Sequence, residues 1–147
     1  MMEARMDVYK LLPGAFKAMM GLQTFVNESG LDKTLGELIK IRASQINGCA
    51  FCLNMHTKEA RQMGETEQRI YGLSAWQEAP YYTDKERAAL ALTEAVTLVS
   101  ESRVPDEVYK AAQAVFSEQE IATIVMAIVV INSWNRIAIT SRTQPQG

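Results

Sequence analysis

Both cysteines and the single histidine of this 147-residue chain lie within eight consecutive positions, Cys49-Ala50-Phe51-Cys52-Leu53-Asn54-Met55-His56. A thiol attacks only as its thiolate, and a free cysteine with a pKa near ~8.5 is mostly protonated at neutral pH. Lowering that value to about 7 takes roughly 2 kcal/mol, at ~1.36 kcal/mol per unit. A helix N-terminus supplies ~0.3 to 1 kcal/mol, and burial on an apolar face works against it. A neighbouring base must therefore make up the difference. His56 stands four residues after Cys52, one helical turn away, in reach directly or through one water. Cys49 stands three residues before Cys52, where a sulfenic acid formed at Cys52 can condense into an intrahelical disulfide. This reading makes Cys52 the attacking thiol and Cys49 the resolving one. The reverse assignment, with the first cysteine attacking as in thioredoxin-like motifs, also fits the spacing.

Glu37, twelve residues before Cys49, is the candidate to orient His56 or accept its proton across a helix interface. Periodicity turns it away from Leu35, Ile39 and Ile46, toward Ile41 and Ser44, so by pattern alone it reads as solvated. Cys49, Cys52, His56 and Glu37 also form four possible zinc ligands. Structural zinc sites rarely draw three ligands from one helical segment in a domain this large, so no metal and no organic cofactor is expected. The bland reading, two inert buried thiols, has the general burial of free cysteine behind it.

These residues need helices to hold them. On a helix, Cys49, Cys52, Leu53, His56, Ala60 and Met63 share one arc of about 100°. That helix is expected to start at or just after Gly48 and to stop at Gly64. Before it, Pro13 opens a helix to about Asn27 that buries Phe16, Met19, Met20 and Phe25. Asp32 caps a second, ending at Asn47-Gly48. After it, Thr66 caps a short helix and Ser74 to Tyr82 reads as a loop. Thr83-Asp84-Lys85-Glu86 is a capping box opening an Ala-rich helix to about Ser100. Pro105 opens the next, and Ser117-Glu118-Gln119-Glu120 is a second capping box before an apolar helix through Ile139. No alternation of period two bounded by hairpin turns occurs, so the fold class is all-α, a single-domain helical bundle over residues 1–140 with a polar tail at 141–147.

Composition narrows the partners. With 48% hydrophobic and 22% charged residues and a formal charge of −2, the chain reads as soluble and globular, with no basic stripe for a phosphate backbone. Neither nucleic acid nor a membrane is an expected partner. The apolar run Ile121 to Ile131 is shorter than the about 20 residues needed to span a bilayer, and its apolar circumference suggests core plus subunit interface. Glu3, Arg5 and Asp7 interrupt any leader-like apolar core, so a cytoplasmic location is expected, where a C-x-x-C pair points to redox or metal chemistry. Trp76 and Trp134 read as packing anchors, the methionines as fillers of core or interface gaps, and Glu94 and Glu101 as a solvated edge.

The stretch Glu37 to His56, with the spacing Glu-x11-Cys-x2-Cys-x3-His, resembles the signature of the alkylhydroperoxidase AhpD-like, or carboxymuconolactone decarboxylase, family. The likeness is strong over roughly Leu31 to Gly64 and looser beyond, where Asn132, Asn135 and Arg136 resemble a second family feature at a subunit or helix contact. The resemblance implies an all-α fold that assembles into homo-oligomers, commonly trimers or hexamers. It also implies reduction of a small hydroperoxide by the cysteine pair, in antioxidant defence. In that scheme Cys52 is oxidised to sulfenic acid, Cys49 is its disulfide partner, His56 and Glu37 form the proton relay, and an external thiol, dithiol or redox protein regenerates the pair. Phe51 stands where AhpD proper often has histidine. The decarboxylase branch typically lacks the cysteine pair, which argues against lactone decarboxylation. A general disulfide oxidoreductase, or a non-enzymatic redox-sensing oligomeric protein, are the alternative functions.

Overall fold

Capping chemistry sets most helix boundaries in the computed structural model, which describes residues 2–147. The order is α1 (Val8–Leu11), α2 (Pro13–Asn27), α3 (Lys33–Asn47), α4 (Ala50–Gln62), α5 (Glu67–Tyr71), a 3₁₀ turn (Gly72–Ala75), α6 (Asp84–Thr97), α7 (Val99–Ser102), α8 (Asp106–Val115) and α9 (Glu118–Ser141). No strand occurs among the described residues. Asp32 accepts from the Leu35 amide at the start of α3, and Thr66 caps α5. The Thr83/Glu86 and Ser117/Glu120 pairs close complete capping boxes. Each such box satisfies two amides that the helix cannot pair internally. The Ala-rich helix is shorter than its pattern suggests. It stops at Thr97, and α7 follows after Leu98.

Helix α3 runs through the middle. Leu35 and Ile39 pack with Ala89 and Leu92 of α6 and with Ile124 and Ile128 of α9. On another side, Leu38 and Ile41 pack with Ala60 of α4, Ile70 of α5, Leu73 and Leu90. Helix α9 is long and apolar enough to cross a membrane by length and composition. In this fold, however, Ile121, Ile124, Ile128 and Ile131 are buried within the bundle.

Helix α2 departs from its expected packing. Of its residues only Val26 is buried, while Phe16, Met20 and Phe25 are exposed. Helix α2 packs chiefly on α9, so an apolar face wide enough for a core is covered over a narrow strip only. Glu94 is also not a free edge: its carboxylate accepts from Arg42 Nε at 3.3 Å and from the Trp76 indole, tying α6 to α3. Glu101 is exposed as expected.

Candidate active site

The turn from α3 into α4 places the cysteines. Gly48 has φ of 73°, the left-handed region in which a side chain is strained. Its amide bonds Gln45 O and the Cys49 amide bonds Ser44 O, at 3.3 and 3.0 Å, the paired closure of a Schellman motif. Cys49 thereby becomes the N-cap of α4, with extended backbone and its sulfur 3.3 Å from the Cys52 amide. Cys52 sits within the first helical turn, and the two sulfurs are joined as a disulfide across a Cα separation of 5.3 Å. Both are buried, against Ala138 of α9 and Phe51.

A polar clamp locks this turn to α9. Asn47 Nδ2 donates to Asn132 Oδ1 at 2.9 Å and to Asn135 Oδ1 at 3.0 Å. Asn135 in turn donates to Ser44 Oγ at 3.0 Å, and Arg136 donates to Asn132 Oδ1 at 2.7 Å. Asn132 also reaches Thr97 Oγ1, at 3.0 Å, so α3, α6 and α9 meet there. The second family-like feature thus makes a helix contact within the chain. Asn135 is fully buried, and cutting it to alanine leaves its partners without their bonds. We expect Asn135→Ala to cost about 1 to 3 kcal/mol, read as a lower urea midpoint at unchanged denaturant slope.

The carboxylate and imidazole come together from two helices. Glu37 is buried, contrary to its periodicity, because α3 is covered by α4 as well as by α6 and α9 and has no fully solvated side at this level. His56 Nδ1 lies 3.6 Å from Glu37 Oε2 and 3.1 Å from Glu59 Oε2. Lys40 Nζ pairs with Glu37 Oε1 at 3.1 Å. Burial pushes the Glu37 carboxyl up, but the adjacent His56 imidazole and the Lys40 ammonium outweigh it and hold the group below the usual carboxylate range. With Nδ1 turned to the carboxylates, Nε2 is the ring nitrogen left for the cavity. No direct hydrogen bond joins His56 to either sulfur among the described residues, so a proton moving between them needs an intervening water.

A cavity of about 420 Å³ opens on this group. Cys52, His56, Glu59 and Lys40 line it together with Phe51, Met55, Tyr9, Phe16 and Trp134, whereas Cys49 does not. Tyr9, Phe16 and Trp134 touch as an aromatic cluster, with centroids 4.8 to 6.2 Å apart. Trp134 packs against Val26, Ala127 and Val130 as expected of an anchor, and its exposed side is also a wall of the cavity, held by a 3.0 Å bond from its indole to Gln23. The sequence reading missed Lys40 and Glu59. Each stands three residues after an identified residue, Glu37 and His56, the spacing at which helical side chains meet.

A vicinal cysteine pair at a helix N-terminus, beside a buried glutamate–histidine pair and facing an apolar cavity, defines an all-α thiol–disulfide redox protein. The chain belongs to the carboxymuconolactone decarboxylase family, which matches residues 13–95. The YdfG protein of Bacillus subtilis is 49% identical over 138 residues, 94% of this chain and 94% of its own. A crystal structure of a protein of unknown function from Agrobacterium tumefaciens, for which an AhpD antioxidant defence role has been suggested, superposes with a TM-score of 0.96 at 47% identity over 99% of both chains. The alkyl hydroperoxide reductase AhpD of Corynebacterium kroppenstedtii is 38% identical over 53 residues, 35% of this chain and 30% of its own length.

Proposed function

We propose that the protein is a thiol peroxidase for organic hydroperoxides, with Cys52 as the attacking thiol, Cys49 as the resolving thiol, and His56 and Glu37 as the relay. One observation carries the reading: Cys52, alone of the two cysteines, lines an apolar cavity together with His56. The Cys52 thiolate attacks the distal oxygen of ROOH, the O–O bond breaks, and the alkoxide takes a proton to leave as ROH. The sulfenic acid at Cys52 is then attacked by the Cys49 sulfur, releasing water and forming the disulfide. An external dithiol returns two electrons and two protons.

Phe16, Met20, Phe51, Met55 and Trp134 make the cavity largely apolar, which favours substrates with an organic group that gains from leaving water. Assembly as a homo-oligomer, a trimer or hexamer, belongs to the same reading and is supported by exposed apolar side chains on α2 and α9, among them Phe25, Val129 and Ile139. The test is stoichiometric oxidation of the reduced protein followed by mass spectrometry. One equivalent of cumene hydroperoxide should yield the Cys49–Cys52 disulfide, faster than hydrogen peroxide does, in a particle larger than the 16.4 kDa protomer by light scattering. Faster reaction with small disulfides than with any hydroperoxide would favour a general disulfide oxidoreductase.

A further inference from the structure

Two carboxylates converge on one imidazole nitrogen. One donor atom each of Glu37, His56 and Glu59 lies within 4.8 Å of the other two. Nδ1 carries at most one proton and can satisfy one oxygen well. Its hydrogen-bond partner is Glu59, at 3.1 Å. Glu37 Oε2 is left buried with no hydrogen-bond partner, on a side chain only 9% exposed, and it faces the same nitrogen. An orphaned anionic oxygen in such a place is costly unless a positive group reaches it. Lys40 compensates the carboxylate charge from the other oxygen, Oε1, and leaves Oε2 without a donor of its own.

We propose that Glu37, His56 and Glu59 form a binding site for a divalent cation of the zinc class. Zinc bonds imidazole nitrogen and carboxylate oxygen at about 2.0 to 2.2 Å, which places tetrahedral donors about 3.4 Å apart. The two imidazole–carboxylate separations, 3.1 and 3.6 Å, bracket that spacing. Glu59 is the adjustable ligand, since its side chain is 44% exposed and can swing to close the remaining gap. Three protein donors leave the fourth position of a tetrahedral ion for water. A mixed nitrogen and oxygen donor set favours zinc, cobalt or nickel over magnesium or calcium, which prefer oxygen alone. The thiols are not required, so the site exists in the oxidised protein. An ion on Nδ1 also removes the proton that this nitrogen would hand to Glu37, so its occupancy switches turnover off. That consequence, unlike the binding itself, rests on the peroxidase reading.

The test uses protein held as the Cys49–Cys52 disulfide, in which sulfur cannot act as a thiolate ligand. Zn²⁺ titrated against a chromophoric chelator should bind at one equivalent per chain. Co²⁺ in its place should give visible d–d bands without thiolate charge-transfer bands in the near ultraviolet. Glu59→Gln should weaken binding at least about tenfold, and His56→Phe should abolish it. Zn²⁺ should then inhibit turnover by the reduced wild type at lower concentration than turnover by Glu59→Gln. Absence of a stoichiometric site in the oxidised protein, or equal affinity in Glu59→Gln and wild type, would overturn the proposal. Because binding is measured without peroxide, a protein that holds zinc but reduces no hydroperoxide would refute the proposed activity and leave the site standing.

Discussion

Cys52→Ser is expected to reduce hydroperoxide turnover to background, whereas Cys49→Ser should still consume one equivalent of hydroperoxide and then stop. The asymmetry follows from where α4 begins. Cys49 is the N-cap, its sulfur turned back onto the Cys52 amide and away from the cavity, while Cys52 stands at the cavity wall. Serine is a preferred N-cap, and its hydroxyl can accept the same amide, so Cys49→Ser keeps the start of the helix and exposes a purely chemical defect. Without the resolving thiol, the sulfenic acid at Cys52 persists and can be trapped with dimedone or driven to sulfinic acid by excess oxidant. Quenched-flow consumption of cumene hydroperoxide with intact-mass spectrometry checks both variants. Full turnover by Cys52→Ser, or a trapped sulfenic acid at Cys49 in the wild type, would reverse the assignment of the two sulfurs.

Much of the scaffold was legible because short-range chemistry sets it. Asp32, Thr66, the two capping boxes and Gly48 each announce a boundary through backbone groups that must be satisfied within a few residues. That Cys49, Cys52 and His56 of the candidate site would lie together was legible for the same reason, as neighbours along one helix. What failed was every inference that assumed a helix has one wet side and one dry side. Glu37 was read as solvated from its own helix, yet α4 lies over it. Phe16 and Met20 were read as core, yet they face a cavity and solvent, because what covers α2 is set by other parts of the fold. Glu94 gained Arg42 and Trp76 from across the bundle. The asparagine clamp draws Asn47 and Asn135 together over a separation of 88 residues, and no periodicity carries that register.

Glu37→Gln is expected to slow turnover by ~10² to 10⁴, the scale of general acid–base catalysis, at every pH at which the wild type turns over. The reason lies in the sign of the Glu37 shift. Burial raises this carboxyl, but the neighbouring His56 imidazole and Lys40 lower it by more, to a net value below an ordinary glutamate. In the folded protein it is therefore an anion at neutral pH. Its contribution to stability is complete above the unfolded carboxylate value and is lost as pH falls through the depressed folded value. Wild type should lose stability on acidification through that window, and Glu37→Gln should show a shallower acid dependence of its urea midpoint. A loss of turnover caused only by the stranded, partly buried Lys40 ammonium would be repaired by removing that charge as well. The double variant Glu37→Gln/Lys40→Met separates the two causes. If Glu37 acts on His56, the double variant stays slow even where its midpoint recovers; restored turnover would mean that the glutamate serves only to neutralise its neighbour.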